Sequence, residues 1–375
     1  MTAVDRHAEE MGWYCGLVSI PGLGRKKLRE LYEKHGSFST VGKEWRHVAA
    51  EAGFSARVIG AGVERLTEER TSKQLSFLRA NKIGLIGCWE EAFPPLLLDI
   101  PDPPLALFYK GDRDLMIGPA IGIVGSRKPT HYGRAACTHL VKQLCGEGLV
   151  IVSGLAHGID AEAHKTALRV NGATIGVLGC GIDIVYPTAH RSLFREVESA
   201  GLLISEYPPG VPPVPGLFPE RNRIISGLSA GVIVIEAAER SGSLVTADCA
   251  LDQGREVFAV PGPIFSEVSV GPNNLVKQGA KLVTGIEDVL NELPAHWKPI
   301  AQGKKSSSAA GEEGIALLDA EEQRLFAHIR YEPIHMDEVG RHLTEADQAH
   351  LYRTLLKLES KNVIASLPGG YYVRR

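Results

Sequence analysis

The chain has 375 residues, of which 44% are hydrophobic and 23% charged, and a formal net charge of −3. That length suggests two or three domains around ordinary apolar cores, and the charge excludes a uniformly basic nucleic-acid coat while leaving room for a local basic patch. There is no charged-then-apolar leader or run of membrane-span length, and the six cysteines are scattered without a Cys-x-x-Cys pair, so we expect a cytoplasmic protein with no membrane span, zinc ribbon or disulfide framework.

Residues 1–82 read as a helical domain. Within it, Pro21-Gly22-Leu23-Gly24 precedes Arg25-Lys26-Lys27-Leu28, the pattern of a helix-hairpin-helix (SAM-like) unit whose glycines admit a phosphate to backbone N–H groups. An ordinary tight turn between packed helices fits the same residues. Further helices are expected over Ser37–Val48 and Thr67–Asn81. Residues 83–111 are punctuated by Pro94, Pro95, Pro101, Pro103 and Pro104, which predicts a connector with a short edge strand over Leu105–Tyr109.

From Ile121 the pattern is regular. Apolar runs of strand length fall at Ile121–Val124, Leu149–Val152, Thr174–Leu178, Leu202–Ile204, Val232–Ile235, Glu256–Val260 and Lys281–Val283, most separated by helical segments such as Tyr132–Glu147 and Asp160–Val170. Continuous apolar strands alternating with helices predict a parallel sheet covered on both faces, within a core spanning 83–295. Residues 296–314 lack apolar content and read as a flexible linker. In 315–375, helices over Ala320–Arg330, Met336–Leu343 and Asp347–Glu359 and strands over Val363–Leu367 and Tyr371–Arg374 predict a winged-helix-like domain.

Ligands of such sheets bind at the carboxyl ends of the strands, and the unusual residues cluster there. Gly125-Ser126-Arg127-Lys128 follows the first strand; its spacing from Gly122 is not the Gly-x-Gly-x-x-Gly of a dinucleotide loop, and its cations suit a partly exposed anion. Ser153-Gly154 follows the second strand, ahead of His157, Asp160 and His164, whose spacing offers at best a weak metal site; no metal or cofactor is expected. Gly179-x-Gly181 follows the third, but Pro187 prevents a helix from continuing it. Phe218, Arg221, Asn222 and Arg223 lie at an expected helix start after a loop with six prolines, the arginines suited to phosphate and Phe218 to stacking on a base. Ser241-Gly242-Ser243 forms a further small-residue turn after the fifth strand.

Taken together, Val124-Gly125-Ser126-Arg127, Ser153-Gly154-x-Ala156-x-Gly158-Ile159-Asp160-x-x-Ala163-His164, Tyr186-Pro187, Ile204-Ser205-Glu206-Tyr207-Pro208, Phe218-Pro219-x-Arg221-Asn222-Arg223-Ile224-Ile225-Ser226-Gly227-Leu228, Ser241-Gly242-Ser243-Leu244-x-Thr246-Ala247 and Val257-Phe258-Ala259-Val260-Pro261-Gly262 resemble the DNA-processing protein A (DprA/Smf) family over about 93–285. The resemblance implies a Rossmann-like α/β core that binds single-stranded DNA, forms homodimers and loads the recombinase RecA during natural transformation, with no catalytic activity. It makes Arg127 the leading DNA contact, with Gly125, Ser126, Ser153, Gly154, Arg221, Asn222, Arg223 and residues 241–243 around it. Thr188 and His190 depart from the family pattern, in which a basic residue follows Tyr-Pro and an asparagine stands two further on.

Two other classes compete. The core also resembles the lysine-decarboxylase-like phosphoribohydrolases, with Cys249 where their acid/base glutamate stands, so the proton-transfer group is missing. The other is a scaffold that binds only proteins.

Overall fold

A computed structural model describes residues 3–294, 318–331, 333–361 and 363–374. The expected linker, 296–314, lies outside the described residues. Six helices come first: α1 (Ala3–Val18), α2 (Arg25–His35), α3 (Phe38–Lys43), α4 (Trp45–Glu51), α5 (Ala56–Arg65) and α6 (Glu68–Ala80). Ser37 and Thr67 start α3 and α6 as side-chain N-caps, accepting from the N–H groups of Thr40 and Arg70 and so satisfying donors that a helix start leaves free. The single helix expected over 37–48 is two, broken at Glu44.

This helical region shares its core with the sheet that follows. Strands β1 (Gly84–Gly87) and β2 (Ala106–Gly111) pair antiparallel, with the single helical turn α7 (Pro95–Leu98) between them. Tyr14 and Phe38 meet Trp89 and Phe108 in one aromatic cluster, at ring separations of 5.2 to 6.4 Å. The strand expected at a sheet edge is therefore internal: β2 pairs with β1 on one side and with β6 on the other.

The remaining strands are β3 (Ala120–Val124), β4 (Val150–Ser153), β5 (Thr174–Leu178), β6 (Leu202–Ser205), β7 (Gly231–Val234), β8 (Glu256–Ala259) and β9 (Lys281–Leu282). The nine strands lie in the order β1-β2-β6-β5-β4-β3-β7-β8-β9, parallel from β6 to β9. Helices α8 (His131–Gly146), α9 (Ile159–Arg169), α10 (Arg191–Ala200), α11 (Leu217–Gly227), α12 (Gly242–Asp252), α13 (Val270–Lys277) and α14 (Ile286–Leu290) connect or follow them. Ile121 and Ile123 pack against Cys137, Leu140, Val141 and Leu144 of α8. Ala120 and Val124 face the other way, in a core with Ile224 and Ile225 of α11, Leu228 at its end, and Ala247 and Ala250 of α12. Both faces are covered, which is why the strands read as continuous apolar runs. The chain runs outward from β3 to β6, then returns to β7 on the opposite side of β3. That reversal opens a crevice at the carboxyl ends of the strands beside β3, the usual ligand position of such sheets.

At the carboxyl end, helices over Ala320–His328, Met336–Arg341 and Glu345–Ser360 accompany a three-stranded antiparallel sheet of Ile334–His335, Tyr371–Arg374 and Ile364–Leu367. Leu325, Ile329, Val339, Leu355, Leu358 and Ile364 form its core. This is the winged-helix arrangement, with a two-residue strand before the second helix that the sequence pattern does not reveal.

Candidate nucleic-acid interface

The loops after β3 and β4 press against each other. Ile159 N–H donates to the Ser126 carbonyl at 3.1 Å. Gly158 has φ +82°, and a Cβ there would come within 2.2 Å of the Ser126 carbonyl oxygen, so only glycine fits that backbone. The Ser126 hydroxyl accepts from Lys128 N–H at 3.1 Å, closing a small turn. Arg127 and Lys128 project from that turn, exposed and without an ion pair among the described residues.

Several backbone N–H groups after β3 and β4 are already taken by carboxylates of the protein. Glu236, at the end of β7 and 2% exposed, accepts from Thr130 N–H at 2.9 Å and from the Thr130 hydroxyl; Thr130 in turn caps α8 by accepting from Gly133 N–H. After β4, Asp160 reaches back to Gly154 N–H at 3.2 Å and Ala156 N–H at 3.4 Å. Burial pushes its carboxyl above the ordinary aspartate range, against the pull of Arg221 and of these N–H donors. The N–H groups of Thr130, Gly154 and Ala156 thus hold carboxylates of the protein itself, and the exposed Arg127 and Lys128 are the cations left to meet a ligand's negative charge.

The arginines of α11 lie in its second turn, since the helix begins at Leu217. Two residues apart, they are about 200° apart around the axis, and they do different things. Arg221 points into the crevice, 5% exposed, donating to the carbonyls of Gly154 (2.9 Å) and Val177. Its Nε is buried with no protein partner. A Cβ on Gly154 would meet this guanidinium at 2.5 Å. Arg223 points away, forking onto both Glu206 oxygens at 2.7 and 2.8 Å and donating from Nε to the Asp102 carbonyl at 2.8 Å. Arg223 is therefore not placed to touch a ligand in the crevice. Nor is the Ser153 side chain, which is fully buried and donates to the Ile123 carbonyl at 2.6 Å.

A narrow cleft remains, lined by Arg127, Gly154, Ala156, His157, Leu178, Gly179, Cys180, Tyr186, Pro187, Phe218 and Arg221. At about 40 Å³ it has room for a few waters only, so a nucleotide would lie across its mouth. Phe218 is half-buried against Gly179, and its ring stands 5.3 Å from that of Tyr186 with 34° between planes. The cleft thus joins an exposed cation, a buried guanidinium and an aromatic pair.

Ser241, Gly242 and Ser243 lie elsewhere. Ser241 caps α12 by accepting from Ser243 N–H. Ser241 and Gly242 line a separate open cavity of about 630 Å³ with Arg240, Asp248, Asn274 and Gln278. Asn222 ties the two regions together by donating to the Gly242 carbonyl at 3.2 Å.

The histidines weighed as metal ligands are separated by function. His164 is buried against Thr174 (2.8 Å), and burial, with Arg221 and His190 adding to it, pushes it down to about 3. Among the described residues no cluster of three His, Cys, Asp or Glu could hold a metal. No described helix is long and apolar enough to cross a membrane.

Three of the cations that follow the Gly22-Leu23-Gly24 turn find partners within the protein. Arg25 reaches Asp102 and Glu220 at 2.8 Å each and Glu206 at 3.7 Å, Arg29 holds the Pro103 carbonyl, and Lys27 pairs with Glu30 at 2.6 Å.

Comparison with known proteins agrees with this architecture. The sequence model of the DNA recombination-mediator protein A family matches residues 84–294, and that of the DprA winged helix domain matches 309–370. Protein Smf of Escherichia coli (strain K12) is 45% identical over 300 residues, 79% of this chain and 79% of its own length. The X-ray structure of DNA processing protein A from Streptococcus pneumoniae aligns with a TM-score of 0.67 at 37% identity, over 76% of this chain and 98% of that one. DNA processing protein A from Helicobacter pylori, solved for its single-stranded DNA binding mode, aligns with a TM-score of 0.51 at 32% identity, over 56% of this chain and 94% of that one. The chain belongs to the DNA recombination-mediator protein A family.

Proposed function

We propose that this protein is a non-enzymatic, cytoplasmic mediator of DNA recombination that holds single-stranded DNA across the Arg127–Phe218 cleft and passes it to the recombinase RecA during natural transformation. The observation that carries the reading is the exposed Arg127 standing over a narrow cleft with Phe218 at one wall and buried Arg221 at its floor. Arg127 and Lys128 take phosphates, Phe218 stacks on a base, and Arg221 adds a fixed positive charge. Gly125, Ser126 and Gly154 shape the backbone around them. Such contacts position a strand without reading its sequence. The Helicobacter pylori relative with its single-stranded DNA binding mode supports the ligand. Family membership supports recombinase loading and a homodimer, for which Ile264 and Phe265, 80% and 95% exposed, offer uncovered apolar surface. Cys249 is a half-buried thiol that burial pushes up, a poor substitute for the carboxylate of a nucleotide hydrolase.

The test is competition. Unlabelled single strands should displace a labelled oligonucleotide from the protein, while a duplex of the same length should compete poorly, because its bases are stacked away from Phe218. Equal competition by the duplex, or no binding at low salt, would refute the reading.

A further inference from the structure

Two histidines stand at the cleft without a part in the contacts above. His157 is exposed on its wall. His190 stands behind it, half-buried, its ring 4.6 Å from that of His157 and edge-on at 75°. His190 Nδ1 lies 3.0 Å from the Leu155 carbonyl. A carbonyl can only accept, so Nδ1 carries a proton, and the neutral ring keeps its lone pair on Nε2.

Leu155 is buried with φ +55°, a conformation that a branched side chain holds only where its surroundings impose it. The backbone that brings its carbonyl to His190 is thus fixed by the fold.

The ionisable neighbours of this pair come from several elements. His157 belongs to the β4–α9 turn, Lys165 and His164 to α9, Arg127 to the β3–α8 loop and Arg221 to α11. Asp160 is committed to Gly154 N–H and Ala156 N–H, and His164 stays neutral. Burial holds His190 below its ordinary value, with His157 and Lys165 adding to that effect and the Leu155 carbonyl opposing it. Before a ligand arrives, His190 is therefore neutral at neutral pH.

We infer that His157 and His190 form a second, proton-linked phosphate subsite beside Arg127, so that a single-stranded DNA phosphodiester is bound together with a proton. The inference rests on the proposed function for the identity of the ligand. A phosphate seated on Arg127 brings negative charge to the imidazole pair and favours its charged form, whose N–H groups then donate to the phosphate oxygens. The sign follows from that coupling. The bound state raises the His190 pKa above that of the free state, which burial holds low, so binding tightens as pH falls through the window between the two.

The test measures the affinity of labelled oligothymidine, whose base does not titrate in this range, at constant ionic strength from about pH 5.5 to about pH 8.5. Wild type, His157→Asn, His190→Asn and the double variant are compared. Wild-type affinity should rise by up to about tenfold per pH unit for each proton taken up, and the double variant should match wild type near pH 8.5 and stay flat below it. Calorimetry of wild type in two buffers of different ionisation enthalpy should show proton uptake at about pH 6.5, a readout independent of how the variants fold. Tight binding that is flat with pH and takes up no proton overturns the subsite and leaves the proposed function standing. A slope that persists in the double variant assigns the proton elsewhere and also overturns it. Failure of wild type to bind at any pH overturns both.

Discussion

Replacing Glu206 with alanine is expected to lower the unfolding free energy by about 3–5 kcal/mol, the loss that follows when one partner of a buried ion pair is removed. Glu206 and Arg223 are 8% and 7% exposed and meet through two hydrogen bonds at 2.7 and 2.8 Å. Without the carboxylate, the Arg223 guanidinium stays desolvated and keeps the carbonyls of Glu220 (3.1 Å) and Asp102 (2.8 Å), with one carboxylate nearby, that of Asp102, whose Oδ2 lies 3.3 Å from Nε and whose side chain is one third exposed. Glu206→Gln retains acceptor geometry and should cost less. Arg25→Ala, which removes a one-third-exposed member of the network, should cost about 1 kcal/mol or less, because solvent screens such pairs. Urea denaturation of the three variants checks the ranking. A loss below about 1 kcal/mol for Glu206→Ala would mean that the network is incidental to stability.

The second large effect is on affinity. Phe218→Ala should weaken single-stranded DNA binding by about 1–3 kcal/mol, or about fivefold to 150-fold, the usual worth of stacking one base on an aromatic ring. The side chain is half-buried against Gly179 and beside Tyr186, so Phe218→Trp should restore much of the loss. No phosphate contact is removed, so the salt dependence of the variant should match that of wild type. A fall in salt dependence would assign the loss to a disturbed Arg221, which lies one turn further along α11 and shares the cleft.

The strands from β3 to β8 were legible because both sheet faces are buried and each strand is a largely continuous apolar run, whereas the edge strand β9 is two exposed residues, Lys281 and Leu282. Strand β1 was not legible. Gly84-Leu85-Ile86-Gly87 is short, glycine-bounded and set beside a proline-rich segment, and its identity as a strand depends on pairing with residues 106–109. The binding edge was legible as a cluster of small and cationic residues after successive strands. The division of labour within it was not. Arg221 and Arg223 look equivalent until the helix phase is known, and the carboxylates that take the backbone N–H groups stand 106 residues from Thr130 in one case and six residues past Gly154 in the other. Glu236 did leave a trace, as a charged residue ending an otherwise apolar buried run. The link from Arg25 to Glu220 spans 195 residues and has no local signature.

Fluorescence anisotropy of a labelled single strand, titrated with wild type and with Arg127→Ala at several salt concentrations, tests the account most directly. Neutralising about three phosphates gives a slope of log affinity against log salt near −2, and losing one contact should reduce its magnitude by about 0.7. The account predicts tight, salt-sensitive binding by wild type and much weaker binding with the shallower slope in the variant. Equal affinity and equal slopes would contradict it, placing DNA binding away from the Arg127 cleft.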